Sequence, residues 1–126
     1  MTAARILFVD DEPVIGELVC DVLEEEGFDL VCLRSGEEAV AEIEAHDDFD
    51  AIITDIDLGG RVDGFAIARL AREHCPDAAV IYLSGAAAAR LPAERVAGAR
   101  FVGKPFTPYK ILDILRQMLR DAVRRA

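Results

Sequence analysis

Asp10, Asp11 and Glu12, then Asp55 and Asp57, then Ser84, then Lys104 are the residues whose types and positions suit chemistry in this chain. Each group directly follows a short apolar run: residues 6–9, 51–54, 79–83 and 100–103. Apolar packing accounts for none of them. Ligands of open α/β sheets bind beyond the carboxyl ends of the strands where strand order reverses, so parallel strands would gather these groups at one place. Three or more carboxylates gathered there repel one another, which raises a pKa or recruits a cation. Magnesium, a hard divalent ion that favours oxygen ligands and keeps several waters, suits a few carboxylates and a carbonyl. Lys104 is the only basic residue of the set and can pair either with the acids or with a phosphoryl oxygen; Ser84 adds a hydroxyl. Carboxylate, magnesium, lysine and hydroxyl together describe a phosphoryl-transfer site, in which positioning and charge neutralisation carry most of the catalysis.

Taken singly, each group has a plainer role. Asp10-Asp11-Glu12 alone is an acid cluster favoured by a helix dipole. Asp55 alone ends a strand, Ser84 before Gly85 is a turn residue, and Lys104 before Pro105 is a solvated lysine. Joint placement is what distinguishes them, because four separate strand ends supply groups that one chemistry needs.

The elements that must position these residues follow from patterning. Ile6-Leu7-Phe8-Val9 is an unbroken apolar run stopped by acids, as a strand buried on both faces would be. Pro13 suits the first turn of a helix, in which Val14, Leu18 and Val22, with Ile15 and Leu23, recur at helical spacing until Gly27. Residues 28–33 read as a second strand, and Ser35-Gly36-Glu37-Glu38 has the form of a capping box, opening a helix to about His46. Residues 51–54 form a third strand, followed by the glycine-rich Leu58-Gly59-Gly60-Arg61 and a helix from about Gly64 to His74 with Phe65, Ile67, Ala68 and Leu70 inward. Residues 79–83 form a fourth strand. Residues 85–99 are alanine-rich with Pro92 inside, which predicts a short or irregular fourth helix. Residues 100–103 are a fifth strand, and Thr107-Pro108 opens a final helix carrying Ile111, Leu112, Ile114, Leu115, Met118, Leu119 and Val123. Five strands alternating with five helices predict an α/β fold, a parallel sheet covered on both faces by right-handed crossovers.

With 126 residues, 52% apolar and 30% charged, the chain fits one domain filling residues 1–126, without linker or repeat. Its net charge of -10 excludes a general nucleic-acid binder working through a basic surface. Residues 1–60 hold 18 acidic and 2 basic side chains, whereas residues 61–126 hold 6 and 12. Most of these read as solvated helix faces. Cys20, Cys32 and Cys75 lack C-x-x-C spacing and lie in apolar or helical contexts, so they are expected to be reduced, with neither a disulfide framework nor a zinc site. No signal-peptide layout and no membrane-length apolar run occurs, which predicts a cytoplasmic protein with no membrane association.

Over essentially its whole length the sequence resembles the receiver domain of bacterial two-component response regulators, as found in single-domain chemotaxis receivers. The match lies in Phe8-Val9-Asp10-Asp11-Glu12, Asp50-Ala51-Ile52-Ile53-Thr54-Asp55, Asp63-Gly64, Leu83-Ser84-Gly85 and Val102-Gly103-Lys104-Pro105-Phe106. The resemblance implies a flavodoxin-like doubly wound sheet of order 2-1-3-4-5. It implies that Asp55 is the phosphoacceptor, taking a phosphoryl group from a phosphohistidine of a sensor histidine kinase or a histidine phosphotransfer protein. Asp11 then matches the direct magnesium ligand, Asp10 a ligand through water, and the Asp57 backbone carbonyl a further ligand beside Asp55 itself. Ser84 matches the hydroxyl that moves to the phosphoryl group, Lys104 the lysine that holds a phosphoryl oxygen, and Phe101 the aromatic switch position. The Lys104-Pro105 bond is implied to be cis. Output is implied through a downstream protein target, a phosphorelay or a homodimer. The protein would be no conventional enzyme, though self-phosphorylation and self-dephosphorylation are implied.

Three features depart from the family pattern. Gly59 stands where a proline is usual, Gly59-Gly60-Arg61-Val62 makes the loop one residue longer, and the segment from Ser84 to Lys104 is short. Asp57 occupies a position that tunes dephosphorylation in the family. The sequence leaves no room for an output domain after Arg124-Arg125-Ala126, although a piece cut from a longer regulator would look the same. Two other readings compete. Asp55-Ile56-Asp57 could be the D-x-D of a haloacid-dehalogenase-type phosphatase, but that family places it after the first strand and leaves Asp10-Asp11 unexplained. A pseudo-receiver that binds partners without phosphorylation would not need the full set of residues present.

Overall fold

The structure, a computed structural model, describes residues 3–85 and 92–125. Five strands, β1 (Arg5–Val9), β2 (Asp29–Leu33), β3 (Ala51–Asp55), β4 (Ala79–Ser84) and β5 (Arg100–Gly103), form one parallel sheet in the order β2-β1-β3-β4-β5. Four α-helices cover it: α1 (Pro13–Glu25), α2 (Gly36–Ala45), α3 (Gly64–His74) and α4 (Pro108–Arg125). The central strands are apolar throughout because each faces helices on both sides; Ile6 to Val9 and Ala51 to Ile53 are fully buried or nearly so. Alternate residues divide the core in two. Leu7, Val9, Ile52, Val80 and Tyr82 pack with α2 and α3, while Ile6, Phe8, Ile53, Ile81 and Leu83 pack with α1 and α4.

Helix starts follow the expected chemistry. Ser35 Oγ accepts the Glu38 N–H at 3.2 Å, the N-cap half of a capping box at α2, and its hydroxyl donates to the Glu38 carboxylate at 3.0 Å. Asp63 caps α3 by accepting the Ala66 N–H, and Thr107 Oγ1 accepts the Lys110 N–H at the start of α4. At the amino ends of the strands, the Arg5 guanidinium meets Asp48 at 2.8 Å and lies 5.1 Å from the centre of the Phe49 ring. The Arg5 N–H donates to Asp50 Oδ2, and the Asp50 N–H returns to the Arg5 carbonyl.

Two expectations, the helix count and the cysteine state, differ in the structure. Among the described residues there are four α-helices rather than five: the expected helix in 85–99 has residues 86–91 outside the described set, and only a 3-10 turn, Pro92–Glu94, in the remainder. Gly98 at φ 77° turns the chain into β5. Val14 and Leu18 do not join the core; they are 72% and 53% exposed, and α1 turns Ile15, Val19, Cys20, Val22 and Leu23 inward. Cys20 and Cys32 are joined by a disulfide, because α1 packs across β2 with their Cα atoms 6.8 Å apart. Cys75 is buried and free. No helix among the described residues is long and apolar enough to cross a membrane.

Gly64 is the tightest join between a helix and a strand end. A Cβ there would meet the Asp55 carbonyl oxygen and lie 2.9 Å from Ile56 Cα, both backbone atoms, while the Gly64 N–H donates to the Ile56 carbonyl at 2.8 Å. Gly64→Ala is therefore expected to destabilise the fold by about 1–3 kcal/mol, as overpacking against backbone does, read from the shift in urea midpoint. An unchanged midpoint would mean that α3 can retreat from β3.

Candidate functional site

The carboxyl ends of β1, β3, β4 and β5 converge on Asp55. The last residue of β3 pairs in register with Leu83 of β4, which puts Ser84 one residue beyond it on the neighbouring strand. Ser84 in turn pairs with Gly103, and its carbonyl accepts the Lys104 N–H at 2.8 Å. That bond aims the Lys104 side chain back across the sheet end: Nζ lies 2.8 Å from Asp55 Oδ2 and 3.4 Å from Glu12 Oε1. The Lys104–Pro105 peptide is cis. Asp10 directly follows β1, its N–H donating to the Leu33 carbonyl and its Oδ1 accepting the Glu12 N–H at 2.9 Å.

Asp10, Asp55 and Ser84 are buried, at 2%, 4% and 2% exposure, whereas Asp11 and Asp57 are exposed. Carboxylate oxygens of Asp10, Asp11 and Asp55 all lie within 4.8 Å of one another. Asp10 Oδ2 is buried without any hydrogen-bond partner. An orphaned carboxylate oxygen beside two further carboxylates is the donor set a hard divalent cation satisfies, so these residues fit magnesium. Asp57 follows Asp55 by two residues on the loop leading to α3. Gly59 on that loop has φ 70°, which a proline ring cannot adopt. The departure from the family's usual proline therefore matches a different loop path, one that leaves a Cβ at this position 3.7 Å from Asp11 Oδ2.

Burial pushes the Asp55 carboxyl above its ordinary pKa; the Lys104 hydrogen bond and charge oppose this, Asp11 adds to it, and the Asp57 N–H lowers it. Burial likewise raises Asp10, against the Glu12 N–H and Lys104 and with the charges of Asp55 and Glu12. Lys104 is pulled down by burial, yet the Asp55 hydrogen bond and the charges of Asp55, Asp10 and Glu12 outweigh that and leave it raised. The lysine thus stays an ammonium at neutral pH in a site that still carries excess negative charge.

Phe101 is half-buried, with its ring centre 5.1 Å from that of Tyr82, which lies 5.0 Å from Phe65. Sequence reasoning did not single out Tyr82. Fully buried, it accepts the Val96 N–H on its hydroxyl at 3.2 Å, tying β4 to the segment before β5. Nor did it give Glu12 a role, because the 92-residue separation from Lys104 hides their contact.

Order 2-1-3-4-5 with an acidic cluster at the strand ends defines a doubly wound α/β domain with its site at the topological switch. Comparison with known proteins narrows this further. The family described as the response regulator receiver domain matches residues 6–116. The chain is 33% identical over 123 residues to the transcriptional regulatory protein YvrH of Bacillus subtilis (strain 168), covering 95% of this chain and 51% of that one. Among solved structures it is similar to a response regulator receiver protein from Sinorhizobium medicae WSM419, with TM-score 0.89 and 30% identity, covering 95% and 97% of the two chains. A CheY-like receiver domain from Methanospirillum hungatei JF-1 gives TM-score 0.86 and 25% identity over 99% and 100%. The chain belongs to the response regulator receiver domain family of two-component systems.

Because Asp10 and Asp55 hold protons more tightly when folded, the metal-free protein loses stability as pH rises from the ordinary carboxylate range through their raised folded values. Asp10→Asn removes an unpaired buried charge, and is expected to raise metal-free stability at pH 7 by about 1 kcal/mol and to flatten that pH dependence. Thermal melts with chelator present check this; a less stable variant would mean that the Asp10 charge is already balanced.

Proposed function

We propose that this domain accepts a phosphoryl group on Asp55 from a phosphohistidine of a sensor kinase or histidine phosphotransfer protein, in the cytoplasm. The observation that carries the proposal is a buried carboxylate bonded to a single lysine and flanked by two further carboxylates. An Asp55 oxygen attacks phosphorus as the P–N bond to the donor imidazole breaks, giving an acyl phosphate on Asp55. Lys104 releases the carboxylate oxygen it holds in the resting site and takes a phosphoryl oxygen instead. Ser84, on the adjacent strand end, offers its hydroxyl to another. Asp10, Asp11, Asp55 and the Asp57 carbonyl would hold magnesium, which supplies positive charge to the transferring oxygens. Glu12 retains a contact with Lys104 and so limits how far the ammonium moves.

Val14 and Leu18, one turn apart on α1, and Tyr109 on α4 are the large apolar side chains left exposed among the described residues. Val14 follows the site directly through Pro13, which favours α1 as a docking face for a protein partner. Phosphorylation would shift populations through Ser84 and the rings of Phe101 and Tyr82, altering contacts with a downstream protein.

Incubation with acetyl phosphate and magnesium should add one phosphoryl mass per chain by intact mass spectrometry, and Asp55→Asn should abolish it. Lys104→Met should leave binding of magnesium intact while slowing labelling at least about tenfold, the scale of losing one charge-stabilising donor. Labelling that survives Asp55→Asn, or catalytic turnover of a phosphomonoester with no stable adduct, would overturn the assignment.

A further inference from the structure

The bridge between Cys20 and Cys32 joins α1 to β2. These two elements also hold Asp10. The Leu33 carbonyl, one residue after Cys32, accepts the Asp10 N–H, and the N–H of Glu12, which precedes α1, donates to Asp10 Oδ1. Cys32 sits beside Phe8 in register, and Gly16 of α1 lies over the Phe8 ring, with 3.8 Å from a Cβ position to Cε1. A groove between the two elements is lined by both cysteines together with Asp10, Glu12 and Arg34. Cys20 is buried, whereas Cys32 is exposed on β2, which ends the sheet and has no strand beyond it. Of the two bridged residues, Cys32 is thus the one at the surface and Cys20 the one in the core.

We propose that Cys20 and Cys32 form a reversible thiol–disulfide modification site, attacked at Cys32, whose state sets how firmly Asp10 is held for a divalent cation. The reagent is a dithiol reductant. One of its thiolates attacks Cys32 Sγ, forming a mixed disulfide as the Cys20–Cys32 bond breaks, and Cys20 leaves with the electron pair and takes a proton. The second thiolate of the reductant then attacks its own sulfur in the mixed disulfide and expels Cys32 as a thiolate. The Cys32 thiolate takes a proton as well, so the protein gains two electrons and two protons while the dithiol, having given up both its thiol protons, becomes a cyclic disulfide; an oxidised dithiol reverses the steps. Cleavage lets α1 and β2 move apart on either side of Asp10. With its two backbone tethers no longer cross-linked, Asp10 is less preorganised for a cation. The coupling to a cation rests on the receiver reading; the exchange chemistry does not.

Buffers spanning reduced to oxidised dithiothreitol, quenched with maleimide in denaturant and read by intact mass, test the exchange. The wild-type chain should pass reversibly from one label, on Cys75, to three as reducing power rises, and Cys32→Ser should take two labels throughout. Three labels in every buffer, or one label at all ratios, would overturn the site. Calorimetry with magnesium chloride tests the coupling. The reduced chain should bind roughly threefold or more weakly than the oxidised chain, and Cys32→Ser should match the reduced chain in either buffer. Equal affinities overturn the coupling alone. No binding in either state overturns the receiver reading and the coupling with it, while the label transition still decides the exchange.

Discussion

One ammonium group among crowded carboxylates is the constraint on which this domain is built. Lys104 lies 2.8 Å from Asp55 and 3.4 Å from Glu12, while Asp10 and Asp11 stand within reach of the same point. A single positive charge cannot balance so many acids, so the site retains negative charge that a cation or a bound phosphoryl group's partners must meet. The topology answers to that requirement. β5 must end level with β4 for the Lys104 N–H to reach the Ser84 carbonyl, and β4 must end level with β3 for Ser84 to neighbour Asp55. α3 must begin flush against β3, which only a glycine at position 64 permits.

The parts of this arrangement that were legible in the sequence are those fixed by local chemistry. Strands buried on both faces leave unbroken apolar runs, and a polar residue immediately after such a run must lie at the sheet's end, so Asp10, Asp55, Ser84 and Lys104 could be grouped before any geometry was known. Strand order itself was not readable from periodicity and came with the family resemblance. Contacts between distant elements stayed hidden for the same reason: nothing local links Glu12 to Lys104, or the Tyr82 hydroxyl to Val96.

The side that α1 turns to the sheet and the pairing of the cysteines both have physical causes that patterning does not carry. Val14 and Leu18 lie on the edge of the apolar stripe of α1, where a helical repeat cannot distinguish the side facing the sheet from the side beside it. The cysteine pair was read as reduced because twelve residues of separation say nothing about whether a helix will carry one sulfur over its partner on the edge strand. The segment between Ser84 and β5 resisted assignment because alanine supports a helix yet gives it little to bury against a sheet.

Arg5 gives the molecule a second charged focus, at the opposite end of the same strands. It too is a cation among acids, meeting Asp48 and Glu42 while its own backbone is bonded reciprocally to Asp50. The two ends differ in the kind of cation they use. A planar guanidinium laid near the Phe49 ring and engaged on several sides surrenders its geometry reluctantly, whereas a lysine ammonium on a flexible stem exchanges one oxygen for another at small cost. β1 and β3 are thus pinned at their beginnings and left answerable at their ends, and a disturbance arriving at Asp55 has a fixed abutment to push against.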